Sequence, residues 1–152
     1  METVQDFEDL LELLDRHEVR YLVIGGLAFI YHAKPRYTKD MDLWIGPDPE
    51  NVDRANRALA AFGSPHLLEG GRPEEILQLG VAPNRIDLLQ DTGGLDFDGA
   101  WSRRIEGRYG RARAFFVDLD GLIAIKSRID DPRHQEDARV LRLVKERQSR
   151  TE

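Results

Sequence analysis

Two short segments decide the fold: IGGL at residues 24–27 and RYTKDMDLWI at residues 36–45. The second segment alternates as a strand does, and residues i and i+2 of a strand point to the same face. Asp40 and Asp42 therefore project together, while Met41 and Leu43 pack on the other face. Two neighbouring carboxylates repel each other, whereas Mg²⁺ prefers anionic oxygen ligands. The pair indicates a divalent-metal site, although two acids at the exposed end of a strand would give the same pattern.

Two glycines and a third acid accompany this pair. Gly25 and Gly26 follow a predicted strand, where backbone N–H groups without a side chain can approach a phosphate closely. A plain tight turn that needs positive φ is the alternative. Asp87 lies in the apolar run RIDLL at residues 85–89, where an acid is unfavourable unless it is paired or coordinated. Asp87 is therefore either a third metal ligand or the partner of a nearby arginine.

The remaining chain alternates between helical and strand patterns. Its apolar spacing, glycines and prolines predict helices at residues 4–17, 27–32, 49–62, 118–129 and 132–148. Strands are predicted at residues 19–24, 41–45, 76–81, 85–90, 104–109 and 112–117, with hairpin connections at 82–84 and around Gly110. The pattern predicts an α/β (α+β) fold, a mixed sheet flanked by helices and followed by C-terminal helices. We expect one domain over residues 1–152.

Composition excludes several classes of protein. The chain has 152 residues, no cysteine and a net charge of −6. It therefore has no thiolate chemistry and no sulfur-ligated zinc site, and the negative charge disfavours indiscriminate coating of nucleic acid. No apolar run approaches the length of a membrane span, and the N-terminus METVQD has no secretory leader. We expect a cytoplasmic protein with no membrane partner.

One segment is basic. Between Trp101 and Arg113 a single acid, Glu106, stands against five arginines, which are Arg103, Arg104, Arg108, Arg111 and Arg113. This segment is either a solvated strand pair or a patch that meets phosphates. The four histidines (His17, His32, His66 and His134) show no ligand spacing and are interpreted as surface residues or supports of other groups. Trp44 and Trp101 are expected to pack in the core.

The order of these features resembles the polymerase-β-like nucleotidyltransferase superfamily in its minimal form. The resemblance implies a nucleotidyltransferase fold that binds a nucleoside triphosphate with Mg²⁺ or Mn²⁺. Asp40 and Asp42 would hold the metals, and Asp87 would complete one site and help to activate the acceptor hydroxyl. The nucleotide would be bound by Gly25 and Gly26 at the triphosphate, together with Arg36 and Thr38.

The last third of the chain narrows the resemblance. Lys126 shares a helical stripe with Leu122 and Ile129, and Asp137 shares one with Leu141 and Val144. A buried Lys126–Asp137 pair that joins two helices is one interpretation. The other follows from similarity to the abortive-infection type of nucleotidyltransferase toxin and its small relatives. There the equivalents of Lys126 and Asp137 belong to the nucleotide site, and the lysine is catalytic and faces the triphosphate.

The chain also departs from these families. Gly26 stands where many members have a serine that contacts phosphate, so it offers only backbone. His134 occupies a position that is often acidic in the toxin-like families. Larger members carry a further helical domain for the acceptor, which 152 residues cannot supply. The catalytic half therefore resembles the family better than the substrate half does.

The functional prediction is Mg²⁺-dependent transfer of a nucleoside monophosphate from a triphosphate to an acceptor hydroxyl. The acceptor would be an RNA end, a protein side chain or a small molecule such as an antibiotic, and the resemblance to the toxins implies a toxin–antitoxin or defence system. Two alternatives remain: a non-catalytic binding or regulatory module with a cognate partner protein, and a homodimer whose acceptor cleft forms between chains.

Overall fold

A mixed sheet forms the centre of the molecule. The computed structural model describes residues 3–81 and 84–151. Within these residues one six-stranded sheet has the order β3-β4-β2-β1-β6-β5. β1 is antiparallel to β2 and parallel to β6, β2 is parallel to β4, and β3–β4 and β5–β6 are antiparallel pairs. The strands are β1 (Tyr21–Ile24), β2 (Asp40–Ile45), β3 (Leu77–Leu79), β4 (Arg85–Leu89), β5 (Ile105–Tyr109) and β6 (Ala112–Phe116).

Helices surround this sheet, and their ends follow known capping rules. α3 has proline in its first turn, and Gly63 caps its C-terminus with a φ of +92° that suits a residue without Cβ. α5 begins after Asp118, whose carboxylate accepts the Gly121 N–H at 3.0 Å. The helices are α1 (Gln5–Arg16), α2 (Gly25–His32), α3 (Pro49–Phe62), α4 (Phe97–Ser102), α5 (Leu119–Ser127) and α6 (Pro132–Thr151).

The predicted fold class is confirmed, with differences at particular elements. α2 begins at Gly25 itself, so both glycines belong to the helix and do not precede it. α5 ends at Ser127, short of Ile129. α4 was not predicted; its start is fixed by Asp96, which accepts the Gly99 N–H at 2.9 Å. In the predicted 82–84 connection, residues 82 and 83 lie outside the described residues. The single domain over residues 1–152 stays a prediction.

The core lies on both sides of β1, which is buried along its whole length. α1 packs on α3 and β6, α2 packs on β1 and β2, and α5 and α6 pack on each other and on α2. The buried position of Trp44 is confirmed: its ring is perpendicular to Phe97, with centroids 5.2 Å apart, and Trp101 packs against the same cluster. No helix in the described part of the chain is long and apolar enough to cross a membrane.

Candidate active site

Asp42 and Asp87 lie side by side on neighbouring parallel strands. Asp42 of β2 is in register with Asp87 of β4, and Ile24 of β1 is its partner on the other side. Residues in direct register project to the same face of a sheet, and Asp40 shares that face because it lies two residues before Asp42. The sheet therefore places the three predicted acids on one face.

The crowding of these acids changes the ionisation of Asp42. The pKa of Asp42 is raised from its usual 3.8 to about 6, mainly by burial and further by the charges of Asp87 and Asp40. Lys126 and Arg85 oppose this shift but do not cancel it. A buried carboxylate that is hard to ionise is one that a cation would stabilise.

Arg85 already pairs with two of the three acids. Its Nε donates to Asp87 Oδ1 at 2.9 Å, and its Nη2 donates to Asp87 Oδ2 at 3.1 Å and to Asp40 Oδ2 at 3.3 Å. The alternative interpretation of Asp87, as the partner of an arginine, thus describes a real contact. Because Asp87 also stays on the face that Asp42 occupies, the ion pair and the shared site coexist.

The donor set suits a hard cation in type and in charge. All three side chains offer carboxylate oxygens, the ligands that Mg²⁺ and Mn²⁺ take, and three carboxylates against one guanidinium leave negative charge to be neutralised. Within residues 3–81 and 84–151, however, no three His, Cys, Asp or Glu side chains are grouped as they would be around a metal ion. Arg85 occupies oxygen atoms of two of the three carboxylates, those of Asp40 and Asp87.

Gly25 and Gly26 are required by close approach of the β2 segment. Gly25 has a φ of +68°, and a Cβ built on it would overlap the Asp42 carboxylate. A Cβ on Gly26 would lie 2.6 Å from Thr38 Oγ1. The turn interpretation, which requires positive φ, therefore applies to Gly25 only. Both residues open α2, whose first N–H groups have no partner within the helix and can bind an anion.

Lys126 is buried in a network of charged side chains from α5 and α6. Its Nζ donates to Asp137 Oδ2 at 3.0 Å and lies 3.1 Å from His134 Nδ1. Arg36 donates to both Asp137 oxygens, at 3.1 and 2.6 Å. Burial would raise the pKa of Asp137, but the hydrogen bonds from Arg36 and Lys126 outweigh it and hold that pKa below its usual value. The paired position of Lys126 agrees with the sequence-based interpretation of a buried ion pair.

Two of the three acids, Asp42 and Asp87, line one cleft of about 350 Å³ together with Lys126. We call it the carboxylate cleft. Asp40 lies outside its lining, at the Arg85 side. The residues that line it are Ile24, Gly25, Asp42, Ile76, Asp87, Leu89, Asp91, Thr92, Gly93, Ile125, Lys126, Arg128, Ile129 and His134. One cleft thus joins the strand acids to the buried lysine.

Comparison with known proteins establishes the fold. The sequence matches no protein-family model and no curated protein. Solved structures do match. The lincosamide antibiotic adenylyltransferase LnuA, in its lincomycin-bound form, has a TM-score of 0.59 at 14% identity, over 94% of this chain and 99% of that one. ANT(2")-Ia in complex with adenylyl-2"-tobramycin has a TM-score of 0.56 at 15% identity, over 89% of this chain and 84% of that one. The chain has the nucleotidyltransferase fold.

Two contacts of this fold escaped the sequence interpretation, those of His134 with Lys126 and of Arg36 with Asp137. The pairing of Asp87 with an arginine was one of its two interpretations, and the i, i+2 spacing identifies Arg85 as the partner because it puts both side chains on one face of β4. His134 was interpreted as a surface or supporting residue, and it lines the carboxylate cleft beside Lys126. The Arg36–Asp137 pair joins residues 101 positions apart and has no local signal.

The other predicted nucleotide residues adjoin a second cavity. Arg36 and Thr38 line a space of about 550 Å³ together with Tyr37 and Tyr109. The Arg36 guanidinium also lies over the Phe29 ring, 3.7 Å from its centroid. Arg36 is thus held by Asp137 and Phe29, and its predicted contact with nucleotide stays a prediction.

The arginines between residues 101 and 113 are partly neutralised by neighbours. Arg113 pairs with Asp15 and with Glu106, and Arg103 lies 3.6 Å from Asp118. Arg104 stacks over the Trp101 ring at 4.0 Å. Two of the five arginines, Arg103 and Arg113, are thus paired with acids, and a phosphate-binding role of the patch stays a hypothesis.

Proposed function

We propose that this chain is a metal-dependent nucleotidyltransferase that moves a nucleoside monophosphate from a triphosphate to an acceptor hydroxyl and releases pyrophosphate. The register of Asp42 with Asp87, beside Gly25 and in a cleft that also contains Lys126, carries the proposal. A carboxylate cluster with excess negative charge suits a cation, and the buried ammonium that lines the same cleft suits a polyphosphate.

Each group has a defined part in this proposal. Asp40, Asp42 and Asp87 would hold Mg²⁺ or Mn²⁺, which when bound neutralises phosphate charge and acts as a Lewis acid. The N–H groups of Gly25 and Gly26 bind phosphate oxygens at the start of α2. Lys126 contributes a fixed positive charge, and its attraction for phosphate is stronger at this buried position than it would be in water. Asp87 also accepts the proton of the acceptor hydroxyl. Most of the catalytic effect then comes from positioning and electrostatics.

Small hydroxylated molecules are the first acceptors to test. The two similar structures contain lincomycin and adenylyl-2"-tobramycin, which supports an acceptor of that size for this chain. RNA ends and protein side chains come next, since a net charge of −6 disfavours RNA while the arginines of the 101–113 segment favour it. A role in a toxin–antitoxin or defence system, and a homodimer with a shared acceptor cleft, belong to this proposal as finer hypotheses.

The second candidate is a non-catalytic module that keeps the fold as a binding partner. The Arg85 contacts favour it, because they satisfy Asp40 and Asp87 without a metal. In such a module the carboxylates would serve only the stability of the β2–β4 pair.

A transfer assay separates the two candidates. The protein is incubated with each α-labelled nucleoside triphosphate and Mg²⁺ or Mn²⁺, against aminoglycosides, lincosamides, total RNA and lysate protein. We expect label on one acceptor class, with pyrophosphate release, and a loss of at least about 100-fold in Asp42→Asn and Asp87→Asn. Asp53→Asn, on the exposed face of α3, is the matched control and keeps the activity.

Calorimetry gives an independent test of binding. A ligand specific for the native state at a hundredfold excess over its Kd adds about 2.7 kcal/mol to the free energy of unfolding. Mn²⁺ with a nucleoside triphosphate should raise the melting temperature by several degrees, and the double change Asp40→Asn with Asp42→Asn should abolish the rise. A midpoint that no triphosphate moves would favour the non-catalytic module.

A further inference from the structure

Arg85 donates three hydrogen bonds to two of the candidate metal ligands, Asp87 and Asp40. Two of its three hydrogen bonds run to the two oxygens of Asp87, the forked geometry that arginine–carboxylate pairs prefer, and the third reaches Asp40. The Asp87 side chain is only 12% exposed, whereas that of Arg85 is 34% exposed. The acid is therefore fixed in the sheet, and the guanidinium has solvent into which it can move.

A divalent cation and Arg85 would compete for the same oxygen atoms. Asp40 and Asp87 can coordinate a metal fully only if their contacts with the guanidinium loosen. Arginine keeps its proton at every physiological pH, so deprotonation cannot relieve this competition. The guanidinium has to find another anion, and phosphate matches its fork as well as carboxylate does.

We propose that Arg85 is a built-in counter-cation that makes metal binding depend on the polyphosphate. This inference rests on the proposed function. Without ligands Arg85 neutralises Asp40 and Asp87 and weakens their affinity for a metal ion. When metal and triphosphate enter together, the phosphate takes over Arg85 and the carboxylates become free for the metal. Metal alone then binds weakly, and the metal–polyphosphate complex binds strongly.

The test measures binding of Mn²⁺ and does not depend on transfer. Free Mn²⁺ is titrated by electron paramagnetic resonance against the unmodified protein, Arg85→Met and Arg85→Lys. Arg85→Met should bind Mn²⁺ alone about 10- to 100-fold more tightly, the size of a hydrogen-bonded charged contact. Arg85→Lys keeps the charge but not the fork and should lie between the two. It also serves as the test variant if Arg85→Met does not fold.

A matched control removes an arginine charge that is bound to backbone and not to the acids. Arg128 lines the carboxylate cleft, donates to the Gly93 carbonyl at 2.7 Å and is exposed. Arg128→Met should leave the Kd for Mn²⁺ within about fivefold of the unmodified protein, since an exposed charge is screened by solvent.

Equimolar Mn²⁺ and inorganic tripolyphosphate provide the second arm, because this probe needs no knowledge of the base. Here the order should reverse: Arg85→Met should bind the complex more weakly than the unmodified protein. Equal Mn²⁺ affinity in the unmodified protein and the Arg85 variants, or tighter binding of the complex by Arg85→Met, would overturn the proposal. If transfer activity persists with those results, only the role of Arg85 fails. If no variant binds Mn²⁺ in either arm, both this proposal and the metal-dependent function fail.

Discussion

Two charged clusters of opposite character adjoin the carboxylate cleft, and Asp42, Asp87 and Lys126 are their members that line it. On β2 and β4, three carboxylates face one guanidinium, and the ionisation of Asp42 is opposed. At α5 and α6, one carboxylate, Asp137, faces both Lys126 and Arg36, and its ionised form is favoured. The first cluster has an excess of negative charge and the second an excess of positive charge.

Because of this difference, removing an aspartate should have opposite effects on stability in the two clusters. The strand cluster should gain stability when a cation arrives or when Asp42 loses its charge. The helix cluster is already satisfied, so removing its acid leaves the buried Lys126 ammonium without an acidic partner. Asp42 and Lys126 line one cleft, which under the proposed function would suit a metal at the carboxylates and a polyphosphate at the ammonium.

Asp137→Ala should have the largest effect on stability. The change removes the carboxylate that pairs with Arg36 and with Lys126, whose side chain is only 5% exposed. Breaking a buried pair by removing one partner costs about 3–5 kcal/mol, measured here by urea unfolding at neutral pH. Glu136→Ala on the same helix removes an exposed pair with Arg139 and should change stability by less than about 1 kcal/mol. Equal effects of the two changes would mean that the helix cluster is not a structural unit.

Asp42→Asn should act in the opposite direction, toward higher stability. The folded pKa of about 6 exceeds the usual 3.8, so the protonated acid contributes stability that is present below 3.8 and lost as pH rises through 6. At about pH 8, with a chelator present, the variant should be more stable by up to about 3 kcal/mol, at 1.36 kcal/mol for each pKa unit. Near pH 3.5 the two proteins should converge. A destabilised variant at pH 8 would show that the strand cluster is adequately neutralised.

Gly25→Ala tests the close approach between α2 and the strand cluster. The change forces Cβ onto a residue with φ of +68° and into the Asp42 carboxylate. Gly63→Ala is its matched control, because Gly63 has φ of +92° and open space where a Cβ would lie. The control should lose about 1–2 kcal/mol from backbone strain alone, and Gly25→Ala should lose more and also weaken Mn²⁺ binding. Equal losses would show that Asp42 moves aside freely.

The sequence predicted the parts of the fold that depend on local period. The alternation of DMDLWI gave β2 with Asp40 and Asp42 on one face, and the helix and strand order followed from spacing and breakers. α4 was missed because six residues containing Gly99 give too short a period to detect. Its N-cap, Asp96, was the available signal.

What the sequence left open depends on register between distant strands. β2 and β4 are joined through the β3 hairpin, so the pairing of Asp42 with Asp87 is set by tertiary packing. Lys126 and Asp137 were predictable as a pair because adjacent helices carry them, whereas the second partner of Asp137, Arg36, lies before β2. The sequence pattern therefore predicted one cationic partner for Asp137, whereas the structure gives it two, Lys126 and Arg36.

His134→Gln should have the smallest effect on stability, and its effect should depend on pH. Burial and the Lys126 charge lower the pKa of His134, so its contribution to stability is present above the usual 6.5 and is lost as pH falls through the lowered value. Glutamine offers an oxygen to the Lys126 ammonium but does not titrate. The variant should therefore lose less stability than the parent between about pH 7 and pH 5.

Titration of Asp42 changes the free energy of unfolding in the opposite direction over part of this pH range. His134→Gln is therefore compared with its parent in a protein that also carries Asp42→Asn. Asp137, Asp131 and Arg133 also act on His134, but the first two have lowered pKa values and stay ionised there. Urea unfolding at four pH values measures the difference, and His66→Gln, at an exposed loop position, is the control. If His134→Gln and its parent lose stability in parallel, His134 accepts no hydrogen bond that matters to Lys126, and the helix cluster reduces to its two ion pairs.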